Sequence, residues 1–475
     1  MNIRHNKTKI IATIGPATSD LDTLRNMVHA GMDVCRINFS HGTHEQHLNI
    51  VHNIKEINRE LGLNISLLGD LQGPKLRLGE VEEGTELVDG SDVIITTEAC
   101  IGNASRVYVN YPALPTDVEI DDSILIDDGN LTLTVTEKID DKTFKTRVIH
   151  GGPLSSKKGF NLPNTNISLP SLTEKDLKDL KFAVGNQFDW IGLSFVRRGS
   201  DVTELKERIS EMGGTARVVA KIEKPEAIRY IKSIVKKSDA IMVARGDLGV
   251  ELPLEQVPML QKKIVERCIN FSKPVIIATQ MMESMINNAR PTRAEASDVA
   301  NAVMDGADAV MLSAETSVGK YPLEAVGAVR RIVGSTENGW DIYLKGKKPS
   351  KSSPTFLSDQ ICYAAVQISD QISAQAIISL TQSGYTAFKI ASYRPKCAIF
   401  IFTSNKTIFR LLNLVWNVQV FYYDKMDSTD QTMTDVLNIL KEKKLIKVGD
   451  LAVHTASMPI LSKSRTNALK ISRVD

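Results

Sequence analysis

The chain has 475 residues, which at roughly 150 residues per domain points to about three domains. Hydrophobic residues make up 42% and charged residues 24%, a globular balance that excludes a fibrous repeat, a disordered tail protein and a peptide-sized scaffold. Lys and Arg total 58 against 56 Asp and Glu, a net charge of +2, so broad adhesion to nucleic acid or an anionic membrane is not expected.

The first predicted strand is KIIATIG (9–15), followed by a helix over 21–31, where Leu21, Leu24 and Val28 keep helical spacing and Gly31 ends the run. Strands at DVCRINF (33–39) and ISLLGDL (65–71) follow. From about residue 74 to 157 the pattern changes to alternation, in VIITTE (93–98), RVYVNY (106–111), SILIDDG (123–129), LTLTVTEK (131–138) and KTFKTRVI (142–149), with turn residues at 127–130 and 140–142. An all-β domain inserted into a loop is expected there.

Buried-type strands then resume at 189–195, 217–223, 240–247, 274–280 and 309–315. Most of these eight runs are apolar on both faces, as parallel strands covered on both sides are. Eight strands with helical crossovers fit a closed (β/α)8 TIM barrel, with a doubly wound open sheet as the competing arrangement. LKGKKPSKSSP (344–354) reads as a solvated linker, and strands at 376–381, 398–403 and 419–424 beyond it predict a C-terminal α/β domain. The expected segments are thus barrel 1–73, inserted lid 74–157, barrel 158–343 and C-terminal domain 344–475.

Five cysteines without a CxxC pair fit a reducing compartment better than a disulfide framework. No apolar run approaches the roughly 18 residues of a membrane span, and residues 1–15 lack the apolar stretch of a signal peptide. A soluble cytoplasmic protein is expected.

Polar residues gather where barrel strands end: Arg36, Asn38, Ser40 and His41; Asp70; Lys221 and Glu223; Arg245, Gly246 and Asp247; Thr279 and Gln280; Ser313 and Glu315. In barrels these ends form the catalytic face. Each group taken singly could be a rim ion pair. Glu223 and Asp247 together are the oxygen ligands that Mg²⁺ takes, and Lys221 beside them offers positive charge to a phosphoryl group or a developing enolate. HGTHEQH (41–47) is not HExxH, so solvent-facing histidines at a helix start compete with a zinc reading. No Walker A sequence is present, and no GxGxxG opens a helix after a strand.

RINFSHG (36–42), GDLQGPKLR (69–77), SKKGFNLP (156–163), AKIE (220–223), MVARGDLGVELP (242–253), ATQMMESM (278–285), RPTRAEASDVANAV (290–303) and MLSAETSVGKYP (311–322) resemble the pyruvate kinase family, in order and spacing, over residues 7–475. The resemblance implies phosphoryl transfer from phosphoenolpyruvate to ADP, giving pyruvate and ATP in glycolysis. A metal-dependent carbon–carbon lyase on a related barrel is the alternative.

By motif, Glu223 and Asp247 would hold Mg²⁺ or Mn²⁺, with Lys221, Thr279 and Arg77 catalytic. Arg36, Gly246, Asp247 and Thr279 would bind substrate, while Asn38, Ser40, His41, Arg77 and Lys158 would bind nucleotide. Lys158 would reach it when the inserted domain closes as a lid.

Potassium-requiring relatives carry a glutamate where this chain has Lys75 and a threonine where it has Leu71. Lys75 is therefore expected to replace K⁺ beside Asn38, Ser40 and Asp70, making K⁺ unnecessary. SLTQSGYTAFKIASYRP (379–395) resembles the family's effector loop, with Thr381, Ser383 and Thr386 as phosphate contacts and Tyr385 where a basic residue is common. The family also implies an allosteric homotetramer with no nucleic-acid or membrane partner.

Overall fold

Strands β1 (Lys9–Ile14), β2 (Val34–Asn38) and β3 (Ser66–Asp70) open a barrel that is completed much later in the chain. The computed structural model describes residues 6–163, 165, 167–425, 428–459 and 464–475, so residues 1–5 of the first expected barrel segment lie outside the described part. Between β3 and the rest of the barrel come β4 (Glu86–Leu87), β5 (Asp92–Thr96), β6 (Arg106–Tyr108), β7 (Ser123–Ile126), β8 (Leu131–Lys138), β9 (Thr143–His150), β10 (Gly152–Pro153) and β11 (Phe160–Asn161). The barrel resumes with β12 (Trp190–Leu193), β13 (Arg217–Ile222), β14 (Ala240–Ala244), β15 (Val275–Ala278) and β16 (Ala309–Leu312). The C-terminal part adds β17 (Ala376–Leu380), β18 (Ala398–Thr403), β19 (Val418–Tyr422), β20 (Leu451–Ala456) and β21 (Ala468–Arg473).

The eight strands β1, β2, β3 and β12–β16 close in the order β1-β16-β15-β14-β13-β12-β3-β2, all parallel. This is the closed TIM barrel, not the open sheet. Each strand coincides with one of the eight apolar runs because burial on both faces leaves no polar alternation. Helices cover the outside, and local signals set their ends. Asp20 caps the helix Leu21–Ala30 by accepting from the Thr23 amide at 2.9 Å, and Gly31 (φ 125°) stops it.

The insertion has its own apolar core, around Val93, Ile95, Leu133, Val135, Phe144 and Val148, under a six-stranded sheet β11-β7-β8-β9-β5-β6. Two details differ from expectation. A short helix, Leu114–Asp117, interrupts the β structure. The sheet also outlasts residue 157, because β11 pairs antiparallel with β7 on the way back to the barrel. The Asp127–Gly129 turn has positive φ throughout, as a tight hairpin reversal requires.

The C-terminal sheet runs β19-β18-β17-β20-β21, with only β21 antiparallel. Its core is continuous with the barrel interior: Ile11, Leu68, Trp190 and Ile276 share one apolar cluster with Ile377 and Leu411. The base of the barrel is therefore sealed, and the opposite mouth is left for chemistry. Among the described residues, no helix is long and apolar enough to cross a membrane.

Candidate active site

Lys221, at the end of β13, is the centre of the mouth. Its ammonium lies 2.9 Å from Glu223 Oε1 and 3.4 Å from Asp70 Oδ1, and donates to Ser194 Oγ at 2.7 Å. Arg36, from β2, closes the other side of Asp70, donating from Nε and Nη2 to Oδ2 at 2.9 and 2.6 Å and from Nη1 to Thr13 Oγ1 at 2.7 Å. Asp70 and Glu223 side chains are 1% exposed and Lys221 12%. Alternating charge makes such burial tolerable.

The protonation states follow. Burial disfavours the Lys221 ammonium, but Asp70 and Glu223 outweigh it and hold its pKa above the ordinary lysine value. Burial pushes the Glu223 carboxyl up, against the pull of Lys221, and repulsion from Asp247 adds to the rise. Burial also works to raise Asp70, yet Lys221 and Arg36 bring it below the usual carboxylate range. A buried carboxylate repelled by a half-buried one suits a divalent cation. Glu223 is further fixed by the Phe195 amide, which donates to Oε2 at 2.6 Å from a residue at φ 53°.

Thr279 and Gln280 end β15 at φ 68° and 54°, a conformation rare for non-glycine residues and frequent at functional sites. Arg245 holds this bend, donating to Thr279 O at 2.9 Å while pairing with Asp298 at 2.7 Å. The Thr279 hydroxyl donates to Ala278 O at 2.6 Å and accepts from the Gly246 amide at 2.8 Å. Gly246, Asp247 and Thr279 are thus one unit. Glu315 has a different role: it accepts from the Met282 and Ser313 amides and braces the rim.

Other predicted residues lie around this cluster. Asn38 accepts from the Ser40 amide at 3.1 Å, which orders the turn carrying His41. Arg77 donates to Lys157 O at 3.0 Å, and Lys158 pairs with Asp127 at 2.8 Å, both on the connection to the inserted domain. No contact joins Arg77 or Lys158 to Lys221 among the described residues.

Lys75 Nζ lies 3.6 Å from Asp247 Oδ1. One expectation is corrected. His47 is buried, not solvent-facing; its ring meets Phe39 edge-on at 5.3 Å. His44 stacks on Phe182 and bonds Asp179 at 2.7 Å, so neither ring is arranged as a zinc ligand.

The 381–386 loop borders a separate cavity of about 350 Å³ in the C-terminal domain, lined by Thr381, Ser383, Thr386, Tyr385 and Arg465. Thr381 Oγ1 accepts from the Gly384 amide, and the Thr386 and Thr466 hydroxyls are 2.7 Å apart. Tyr385 occupies the wall through bonds to Asp359 and Thr355.

Residues 5–326 match the family of pyruvate kinase barrel domains, and residues 359–472 match that of pyruvate kinase alpha/beta domains. The chain belongs to the pyruvate kinase family. It is 43% identical over 467 residues to the pyruvate kinase of Mycobacterium tuberculosis, with 98% of each chain covered. It is also 41% identical over 469 residues to that of Geobacillus stearothermophilus, covering 98% of this chain and 80% of the relative. A crystal structure of a pyruvate kinase from Cryptosporidium parvum superposes with a TM-score of 0.92 at 35% identity, over 99% of this chain and 96% of the other. The protein is accordingly a phosphotransferase, and the carbon–carbon lyase alternative is not favoured.

Ser194 and the Phe195 amide escaped the sequence-based reading. Ser194 stood in view at a strand end, in GLSF; a backbone amide carries no sequence signal.

Proposed function

We propose that the mouth transfers the phosphoryl group of phosphoenolpyruvate to ADP, giving pyruvate and ATP, with Lys221 as its electrostatic centre. The observation that carries this is the Lys221 ammonium held between Asp70 and Glu223. Its raised pKa keeps it charged at neutral pH, so it stabilises the transferring phosphoryl and the enolate oxygen. Arg36 and Arg77 bind phosphate, while Gly246 and Thr279 hold the substrate carboxylate. Thr279 also orients the proton source for the enolate carbon. Asn38, Ser40 and His41 border the nucleotide, and Lys158 reaches it from the lid, which excludes water.

Buried Glu223, with the half-buried Asp247 carboxylate repelling it, fits Mg²⁺ or Mn²⁺. A divalent ion held there would draw charge from the phosphoryl and enolate oxygens.

Lys75 makes K⁺ unnecessary, and its place beside Asp247 supports a fixed positive charge at the metal edge. The cavity at Thr381, Ser383 and Thr386 supports an effector site for a sugar phosphate or nucleoside monophosphate. The family likeness supports a cytoplasmic homotetramer.

The test is pyruvate formation from phosphoenolpyruvate with Mg²⁺, with and without ADP. Product is expected only when ADP is present. Equal product without ADP contradicts the proposal.

A further inference from the structure

Glu251 ends the helix Arg245–Glu251, the helix that carries Gly246 and Asp247 near its start. Its side chain is 1% exposed, and one oxygen, Oε1, takes two donors from separate parts of the molecule. Lys224, the residue after Glu223, forms an ion pair with it. Asn161, on β11 of the inserted domain, donates its side-chain amide to the same oxygen at 2.8 Å. The Asp127–Gly129 turn comes near this helix, since a Cβ added to Gly129 would be 3.9 Å from a Val250 methyl. The other Glu251 oxygen, Oε2, is buried with no hydrogen-bond partner among the described residues. A buried carboxylate left half-satisfied is costly, and a role in stability alone does not explain keeping it.

We propose that Glu251 is a positioning residue that links the seat of the lid to the metal-binding edge. Through Asn161 it holds the inserted domain on the helix. Through Lys224 it holds the end of β13, where Glu223 sits. Through the helix itself it is tied to Asp247. When the lid leaves, the Asn161 bond breaks, and both carboxylates lose a common anchor. Lid position and carboxylate placement are thereby coupled through one side chain that touches no substrate. The proposal rests on the reading of the inserted domain as a nucleotide-closing lid.

The test compares Asn161→Ala, Glu251→Ala, Glu251→Gln and Lys158→Ala in the full-length enzyme. Asn161→Ala removes only the lid's bond and is expected to raise KM for ADP about fivefold or more, as loss of a hydrogen bond to a charged group does. It should also raise the Mg²⁺ concentration needed for half-maximal rate, with the melting temperature nearly unchanged. Amide hydrogen exchange should quicken both in residues 245–251 and in the 127–130 turn.

Glu251→Ala should show the same pattern more strongly, and Glu251→Gln, which keeps an acceptor for Asn161, should recover most of the loss in KM. The Asn161→Ala, Glu251→Ala double variant should be no worse than Glu251→Ala, since both remove one interaction. If Glu251→Ala does not fold, Asn161→Ala decides alone. Wild-type KM, Mg²⁺ dependence and exchange in Asn161→Ala would overturn the proposal. If Lys158→Ala also leaves KM for ADP unchanged, the lid reading fails with it; if Lys158→Ala raises KM and Asn161→Ala does not, only the Glu251 link fails.

Discussion

At the base of the barrel, Arg394 meets Asp308 at 2.9 Å, donates to Gly306 O and Ala391 O, and lies 4.8 Å from the centre of the Trp416 ring. At the mouth, Lys221 meets Glu223 at the same 2.9 Å. Both are buried ion pairs, so burial of charge does not by itself distinguish a site from a structural lock. The surroundings do. Asp308 accepts from the Val275 and Trp416 amides, joining barrel to C-terminal domain. Around Lys221, one ammonium faces two buried carboxylates, Asp70 and Glu223, and Glu223 is also repelled by Asp247. The base spends charge on connection; the mouth keeps its charges available to a ligand.

Substitutions at the two ends should separate these roles. Glu223→Gln is expected to cost ~10²–10³-fold in turnover, as loss of one charge-stabilising group does, and to raise the Mg²⁺ requirement in a titration of rate against metal. Arg394→Met should leave Asp308 buried without its partner and lower stability by about 3–5 kcal/mol in denaturant unfolding. Turnover of the folded fraction should stay within about twofold, because the lesion lies at the end of the barrel opposite the catalytic face. A reversed pattern, with Glu223 mattering to stability alone, would remove the distinction.

Finer effects sharpen it. Activity with Mg²⁺ and tetramethylammonium should match that with K⁺ to within about twofold, whereas Lys75→Glu should create a K⁺ dependence of about tenfold, since it inverts a charge beside Asp247. Strong K⁺ activation of the unaltered enzyme would contradict the role of Lys75. The smallest effect is at the base. Burial raises Asp189 to about 6, against the pull of Arg410 at 3.0 Å. A carboxyl raised on folding contributes stability below its unfolded pKa and loses it as pH rises through the folded value. Asp189→Asn should therefore flatten the decline in stability between about pH 4 and 6 in paired denaturant curves. An unchanged slope would show that Asp189 titrates normally.

How much of this was legible in the sequence depended on where the partners lay. The eight barrel strands were readable because two-sided burial writes itself as an apolar run. β20 and β21 were not: buried His454 interrupts the first, and the second is an edge strand with no buried residue. Lys221, Glu223, Asp247 and Asp70 were legible as charges at strand ends. The contact of Lys75 with Asp247 was not, because the nearest partner of a long side chain is set by tertiary packing. Asn161, Lys224 and Glu251 escaped because their partners lie up to 90 residues apart.

The most direct measurement is the turnover of Lys221→Met, with circular dichroism confirming the fold. The account predicts a loss of about 10³-fold in pyruvate formation from a folded protein, because the charge that stabilises the transferring phosphoryl is gone. A folded Lys221→Met enzyme with turnover near that of the unaltered protein would contradict it.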